Sequence, residues 1–276
     1  MPHSQDTTPI VLTIAGSDSG GGAGIQADIK AMSATGSYAC SVITAITSQN
    51  TQGVSAIHPI PLEHIKSQLD AVFSDLNVVA VKVGMLADAE IIKVVAAKIR
   101  QYQPKHLVVD PVMVATSGDL LLEQSAISTL KQELLPLADL ITPNLPEGAA
   151  LIGVEVPQDE EQMGAMIESL RALGAKAVLL KGGHLEQGEN SNDLFIELSS
   201  SELIAAKRVA TKNTHGTGCT LSSAIASYLA QGYNLHKAVH LGKQYISQAI
   251  AHADQLEVGQ GHGPVHHFFC GHTNVR

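Results

Sequence analysis

The chain has 276 residues, 45% of them hydrophobic and 16% charged, with 17 Lys plus Arg against 26 Asp plus Glu and a formal net charge of −9. That length and apolar content support a sizeable core and exclude disorder as the main state. An acidic chain without a Lys/Arg run excludes the electrostatic footprint of a nucleic-acid or anionic-membrane binder, so any phosphorylated ligand must be held by local donors.

Trp is absent and aromatics make up 3% of the chain, which leaves no stacking platform for single strands. Met1 to Pro9 is polar and lacks the basic-then-apolar pattern of a signal peptide. No apolar run reaches the roughly 20 residues that span a bilayer. The three cysteines, Cys40, Cys219 and Cys270, are far apart and odd in number, which argues against a disulfide framework and for a reducing, cytoplasmic setting.

In chain order, an apolar β-branched run over 10–15 reads as a strand. A glycine cluster follows, Gly20-Gly21-Gly22-Ala23-Gly24. Ile25, Ile29 and Met32 then recur at helical spacing, and Gly36 ends that helix. A buried strand is expected over 39–47. Pro61 opens a helix with Ile65, Leu69, Val72 and Phe73 on one face. Strands over 78–83, 106–109, 140–142 and 177–180 alternate with helices over 89–99, 127–135 and 160–173. Segments 195–198 and 203–209 look like a hairpin at a sheet edge, and helices over 219–230 and 235–252 close the pattern.

Such alternation predicts an α/β fold with a central, mostly parallel sheet covered by helices on both faces. With no Pro/Ser-rich linker, charge block or internal repeat, 1–276 reads as one domain with a core over about 10–268. The tail after Gln260, rich in Gly and His, is expected to pack irregularly.

Polar residues and glycines gather at the carboxyl ends of these strands. Gly16-Ser17-Asp18 follows the first, Ser48-Gln49-Asn50-Thr51 the second and Gly84-Met85 the third. Asp110-Pro111-Val112-Met113, Pro143-Asn144-Leu145-Pro146-Glu147 and Lys181-Gly182-Gly183-His184 follow the next three. In an open parallel sheet that rim is where the ligand crevice lies. Loops are polar in general, but an Asp, an Asn, a Glu and a Lys at matching ends are better explained by a site.

The glycine cluster does not satisfy the dinucleotide fingerprint, no acid ends the second strand to hold a ribose, and no phosphate-loop motif occurs. The cluster serves either as a tight turn or as a place where backbone approaches a flat ligand. The sharper signal is Asn213-Thr214-His215-Gly216-Thr217-Gly218-Cys219-Thr220, which opens an apolar helix. Successive N–H groups from Gly216 to Cys219 would converge at a helix N-terminus and bind an oxyanion or phosphate. Cys219 in the first turn is expected to have a depressed thiol pKa and to accept a proton from a substrate hydroxyl. The plainer reading is a small buried cysteine at a helix start.

At these residues the chain resembles the ribokinase-like superfamily, and within it the hydroxymethylpyrimidine/phosphomethylpyrimidine kinases of thiamine biosynthesis. The resemblance runs over 10–268. It is carried by Ala15-Gly16-Ser17-Asp18 through Gly22-Ala23-Gly24-Ile25-Gln26-Ala27-Asp28, Ser41-Val42-Ile43-Thr44-Ala45, Gln49-Asn50-Thr51, Thr142-Pro143-Asn144-Leu145-Pro146-Glu147, Lys181-Gly182-Gly183-His184, the stretch from Lys212 to Leu221, and Gly263-Pro264-Val265-His266-His267-Phe268. Cysteine at 219, where sugar kinases of the superfamily carry Asp, is typical of these kinases and of a related group of pyridoxal kinases. Asp18-Ser19-Gly20-Gly21 departs slightly from the usual Asp-Pro-Ser or Asp-Ser-Ser-Gly.

The resemblance implies a three-layer α/β/α ribokinase-like fold. It implies transfer of the ATP γ-phosphoryl, with Mg²⁺, to 4-amino-5-hydroxymethyl-2-methylpyrimidine and then to its monophosphate, by a homodimer. Gln49 matches the residue that bonds the aminopyrimidine, and Gly16, Asp28, Met85 and Val112 match other substrate-pocket positions. Asp110 and Glu147 match the acidic pair near Mg²⁺ and phosphates. Asn144, Lys181 and Thr214 match nucleotide-side positions, and Gly216, Thr217, Gly218 and Cys219 match the anion hole and base.

Each residue also has a plain reading. Asp28 would complement its helix N-terminus, Met85 would fill core, and Lys243, which matches a family lysine, would be solvated. His262, His266, His267, Cys270 and His272 invite a metal reading, but their spacing fits no tetrahedral zinc pattern well. A pyridoxal or pyridoxine kinase of vitamin B6 salvage is the alternative activity, since both rings present a hydroxymethyl on a flat heterocycle. A dinucleotide oxidoreductase lacks its fingerprint here, and the intact Cys219, Asp110 and Glu147 argue against a non-catalytic binder. The Gly- and Asn-containing loop over 184–192 is a candidate lid, although the sequence does not say whether it closes over the nucleotide.

Overall fold

The computed structural model describes residues 7–113, 124–185 and 189–270. Residues 1–6, 186–188 of the candidate lid loop and His272 lie outside the described set. The sheet has eight strands: β1 (Ile10–Ala15), β2 (Tyr38–Ile43), β5 (Val78–Val83), β6 (His106–Val109), β7 (Leu140–Ile141), β8 (Ala177–Leu180), β9 (Asp193–Glu197) and β10 (Ser201–Ile204), while β3 (Ala45–Asn50) and β4 (Gly53–Pro59) form a separate two-stranded ribbon. The order across the sheet is β10-β9-β8-β7-β6-β5-β1-β2. Pairings from β2 through β8 are parallel, and β9 and β10 close one edge antiparallel. The chain moves from β1 out to β2 and then returns to the other side of β1 at β5, which creates a topological switch point at their carboxyl ends.

Alternation along the strands explains the two helical layers. Leu12, Ile14, Val81, Val83, Leu107 and Val109 face one apolar cluster, while Val11, Ala80 and Val108 face the other. The first cluster is covered by α2 (Leu62–Asp75), α3 (Ala89–Tyr102), α4 (Gln124–Thr129), α5 (Leu145–Ile152), α6 (Glu160–Ala165) and α7 (Ile167–Arg171). The second is covered by α1 (Gly24–Ala34), α8 (Thr217–Ala230) and α9 (Leu235–Ala251). Strands buried on both faces read as continuous apolar runs, which is why the sequence exposes them so clearly.

Several expected boundaries change, and the edge hairpin expected over 195–198 and 203–209 forms as Asp193–Glu197 and Ser201–Ile204. The strand expected over 39–47 breaks at Thr44, whose N–H still bonds Ala15 O at 3.0 Å, and the chain then leaves the sheet as β3 to pair antiparallel with β4. Gln49 therefore sits within a ribbon strand and not on a loop after a sheet strand. The helix expected over 127–135 runs as α4, a π turn over Leu130–Leu134 and a 3-10 turn over Leu135–Leu137, because Pro136 has no N–H to continue an α pattern. The helix expected over 160–173 is α6 and α7, interrupted at Met166 after Gly164. An additional helix, α5, starts within the Pro143–Glu147 stretch that the sequence places after a strand end. Pro146 occupies its first turn, and Asn144 and Glu147 form a reciprocal capping box.

Candidate active site

A crevice of about 1140 Å³ lies along the carboxyl ends of β1, β5, β6, β7 and β8 and under the β3–β4 ribbon. Pockets that hold one drug-sized ligand run about 300–1,000 Å³, so this crevice stands just above the upper end of that range. Of the residues the sequence singles out, Gly16, Gln49, Met85, Asp110, Val112, Asn144, Glu147, Lys181, Thr214, Gly216, Thr217, Gly218, Cys219 and Lys243 line it. Asp28 does not.

The N-terminus of α8 forms the floor. Gly216 caps it at φ 78° and ψ 11°. A Cβ there would lie 1.8 Å from Gly22 O, so glycine is required both for the turn and for the contact with the first loop. Thr217 spends its N–H (3.2 Å) and hydroxyl (2.7 Å) on Thr214 O. The first-turn amides left for an anion are those of Gly218 and Cys219.

The expected depressed thiol is a correction. Burial pushes the Cys219 thiol up to about 11; Lys82 opposes the shift, Asp28 and Asp110 add to it, and the Gly24 N–H opposes it weakly. The helix terminus alone does not overcome desolvation between two carboxylates, so Cys219 is a thiol at neutral pH.

Asp28 is the second correction. It is fully buried on α1, where it neither touches the crevice nor caps its helix. Its carboxylate accepts from Lys82 Nζ at 2.8 Å on both oxygens, from Thr13 Oγ1 at 2.5 Å and from Ser223 Oγ at 2.8 Å. The residue that reaches the crevice is Lys82. Burial works against its charge, but Asp28, Cys219 and Asp110 hold the ammonium above its ordinary value. The sequence signal was available: Lys82 is a lone charge within the apolar run of β5, and a buried lysine needs a partner.

Across the crevice, Asp110 ends β6, is buried, and accepts from Lys181 Nζ at 2.9 Å and Thr142 Oγ1 at 3.0 Å. Burial pushes its carboxyl up, but Lys181 and Lys82 outweigh this and hold it below the usual range. Glu147 accepts the Asn144 N–H at 2.8 Å, and Asn144 Oδ1 accepts the Glu147 N–H at 2.8 Å. Burial pushes the Glu147 carboxyl up to about 7; Lys181 opposes this and Asp110 adds to it. A Cβ on Gly218 would lie 3.2 Å from Lys181 Nζ and 3.3 Å from Asp110 Oδ2, so the α8 terminus and the carboxylate–lysine group face each other closely.

At the ribbon end, Gln49 Oε1 accepts from Thr47 Oγ1 at 3.1 Å, and its Nε2 lies 3.5 Å from His215 Nε2. His215 Nε2 is 2.9 Å from Asp18 Oδ2. Asp18 also accepts from the N–H groups of Gly20 (2.8 Å), Gly22 (3.0 Å) and Ala23 (2.8 Å). Burial would raise the Asp18 carboxyl, but His215 and these amides hold it below the usual range. The glycine cluster thus winds around a buried carboxylate. A Cβ at Gly22 would strike His215 Cδ2 at 2.5 Å, and one at Gly24 would strike Gly16 O at 2.4 Å. Asp18 and His215 were not singled out as site residues from the sequence. Met85 lies against Gly16, whose Cβ would meet the Met85 methyl at 2.6 Å, so both form one wall.

Lys243 is not solvated. Its Nζ bonds Asp193 Oδ2 at 2.6 Å and Ser191 O at 3.0 Å, and Asp193 also accepts the Gly182 N–H at 3.0 Å. The described histidines of the tail, His262, His266 and His267, form no cluster of three metal-ligating side chains. His267 Nε2 pairs with Thr220 Oγ1 at 2.9 Å, with burial pushing its pKa down to about 4, and His262 Nδ1 lies 3.2 Å from Lys212 O. Among the described residues no helix is long and apolar enough to cross a membrane.

Comparison with known proteins matches residues 18–266 to the phosphomethylpyrimidine kinase family model. The chain is 54% identical over 261 residues to a hydroxymethylpyrimidine/phosphomethylpyrimidine kinase from Rhizobium meliloti, covering 95% of this chain and 97% of the relative. A crystal structure of phosphomethylpyrimidine kinase from Clostridium difficile superposes with a TM-score of 0.77 at 46% identity, over 88% of this chain and 100% of that one. The pyridoxal kinase of Staphylococcus aureus in complex with AMP-PCP and pyridoxal superposes with a TM-score of 0.89 at 30% identity, over 97% and 96% of the two chains. Together with a mostly parallel sheet and a helix terminus that faces a carboxylate–lysine group, these matches show that the chain belongs to the phosphomethylpyrimidine kinase family, on the ribokinase-like fold.

Proposed function

We propose that the protein is an ATP-dependent kinase that phosphorylates 4-amino-5-hydroxymethyl-2-methylpyrimidine and then its monophosphate in thiamine biosynthesis. The observation that carries this reading is the face-to-face placement of the α8 terminus, with Cys219 in its first turn, and the Asp110–Lys181 pair. A γ-phosphoryl held between them would meet amide dipoles on one side and an ammonium on the other, the arrangement that phosphoryl transfer requires. Gln49 lies at the other end, where its amide can donate and accept against an aminopyrimidine edge.

The donor set fits Mg²⁺. Asp110 and Glu147 are buried carboxylates in one wall, and the raised Glu147 pKa reflects desolvated negative charge that a hard cation would relieve. When bound, the ion would neutralise phosphate charge. Lys181 would pair with phosphate oxygens, and Asn144 keeps Glu147 oriented through its capping box. Cys219 acts as a base only as thiolate: the resting thiol first gives its proton to solvent, a loss that the neighbouring Lys82 favours, and the thiolate then takes the substrate hydroxyl proton as the oxygen–phosphorus bond forms and returns to the thiol.

The free cysteines accord with a cytoplasmic enzyme. Ile46 and Ile57, exposed on the β3–β4 ribbon, accord with a homodimer. A steady-state ATP-consumption assay with Mg²⁺ tests the activity. High kcat/KM for the pyrimidine and its monophosphate, with pyridoxal far lower, is the expected result. Dominance of pyridoxal would move the protein to vitamin B6 salvage, and no turnover of any of them would overturn the kinase reading.

A further inference from the structure

Outside the crevice, three metal-ligating side chains meet where the antiparallel edge of the sheet packs beside α9. His236 and His240 are one turn apart on that helix, so their rings share a face, with centroids 4.5 Å apart. Both Nε2 atoms point at the same carboxylate oxygen, Glu202 Oε2 on β10, at 2.9 Å and 3.3 Å. The donor atoms of all three lie within 4.8 Å of one another, and this is the one such grouping of three His, Cys, Asp or Glu ligands among the described residues.

The backbone around the cluster is held independently of it. Asn234 caps α9 by accepting the Lys237 N–H at 2.9 Å, which fixes the turn that carries His236. Glu202 pairs in register with Phe195 across β9 and β10, and the Phe195 ring meets His236 edge-on at 6.1 Å. The side chain of Glu202 bonds both imidazoles and reaches neither Lys nor Arg among the described residues.

We propose that Glu202, His236 and His240 form a binding site for a borderline divalent cation of the Zn²⁺ class. Two imidazole nitrogens and one carboxylate oxygen suit such an ion, whereas hard Mg²⁺ and Ca²⁺ prefer all-oxygen sets. Bonds of about 2.0–2.2 Å in a tetrahedral site place ligand atoms about 3.3–3.6 Å apart, close to the 2.9 Å and 3.3 Å that separate the carboxylate oxygen from the two imidazole nitrogens. Three protein ligands leave a fourth position for water or an outside ligand. The site lies away from the crevice, but His240 is one turn before Lys243, and β9 begins with Asp193. An ion here therefore ties the strand pair to the helix that together hold the Asp193–Lys243 bridge at the crevice wall.

The test is a Zn²⁺ titration of the full-length protein by calorimetry, in excess Mg²⁺ to occupy the crevice carboxylates. His236→Ala/His240→Ala, a change at exposed and half-exposed positions, is expected to bind one equivalent fewer than the parent protein. Glu202→Gln, which keeps both imidazoles, is expected to weaken that equivalent by about tenfold or more. Free Zn²⁺ at a hundredfold excess over its dissociation constant raises the Tm of the parent by about 5 °C, and the double variant loses that rise. Co²⁺ in the site gives visible ligand-field bands without a thiolate charge-transfer band. Equal Zn²⁺ uptake by the double variant, an undiminished Tm rise in it, or a thiolate band that assigns the ion to a cysteine would each overturn the proposal.

Discussion

Lys82 Nζ lies 2.8 Å from both carboxylate oxygens of Asp28, and neither side chain is exposed to solvent. Thr13 and Ser223 complete the shell, so the carboxylate is fully satisfied inside the protein. A buried pair of this kind contributes little compared with a well-packed apolar pair, yet removing one partner strands a charge in the interior. Asp28→Ala or Lys82→Met should each cost about 3–5 kcal/mol. Asp28→Leu/Lys82→Met should cost clearly less than the sum of the single changes. Urea unfolding of the four proteins measures this. An Asp28→Ala protein as stable as the parent would remove the structural role assigned to the pair.

The raised Cys219 thiol sets a pH dependence that separates it from a pre-formed thiolate. A thiol titrating at about 11 is a small fraction thiolate at neutral pH. Its alkylation by iodoacetamide, followed site by site with mass spectrometry, should therefore rise about tenfold per pH unit from pH 7 to 9 in the ligand-free enzyme. A rate that levels off below pH 8 would mean that the helix terminus and Lys82 outweigh burial. Cys219→Ala should lower kcat by about 10²–10⁴-fold while leaving nucleotide binding in place, and a variant with the full rate would remove the proton-accepting role.

The eight-stranded sheet and its helical cover were legible because strands such as Ala177–Leu180 are apolar on both faces and stop abruptly at polar residues, and Val78–Val83 departs from that pattern only at Lys82. The carboxyl-end rim was legible for the same reason, and Asp110, Asn144, Glu147 and Lys181 all stand on the crevice wall. The β3–β4 ribbon was hidden. Its first strand continues the apolar run of β2 without a break, and the bend at Thr44 is held by bonds to Ala15 and Met85 that are distant in sequence. Local pattern also cannot tell which of two acids faces ligand and which faces a lysine. Asp28 was assigned to the pocket by resemblance alone, whereas its lysine, in the middle of β5, marked the real arrangement. The depressed thiol expected for Cys219 failed because helix position is visible in sequence, while burial of the thiol and its repulsion by Asp28 and Asp110 are properties of the folded site.

Gln49 owes its place to the ribbon. Its carbonyl is engaged by Thr47, and its amide nitrogen has only a long 3.5 Å contact with His215, so a substrate ring displaces little when it binds. Gln49→Leu removes hydrogen bonds that are made equally in the ground and transition states. The pyrimidine kcat/KM should fall about tenfold to a hundredfold, almost all of it in KM. Pyridoxal has no exocyclic amine, so its value should change less and the selectivity ratio should shrink. An unchanged pyrimidine KM would remove Gln49 from recognition.

Gly216 and Gly218 stand two residues apart at the same helix terminus but are constrained by different neighbours. Gly216 has φ 78°, and a Cβ on it would overlap Gly22 O at 1.8 Å, a backbone atom that cannot move without unwinding the first loop. Gly216→Ala should therefore lower stability by about 2–4 kcal/mol and lose activity as a consequence. A Cβ on Gly218 would meet Lys181 Nζ at 3.2 Å and Asp110 Oδ2 at 3.3 Å, side-chain atoms that can shift by tenths of an ångström. Gly218→Ala should unfold at nearly the same temperature as the parent yet lose kcat by about 10²-fold or more, because the methyl occupies the space between the helix amides and the lysine. Thermal melts and single-turnover rates of the two variants check the contrast. If Gly218→Ala keeps the parent's chemical rate, the transferring phosphoryl does not pass between α8 and Lys181.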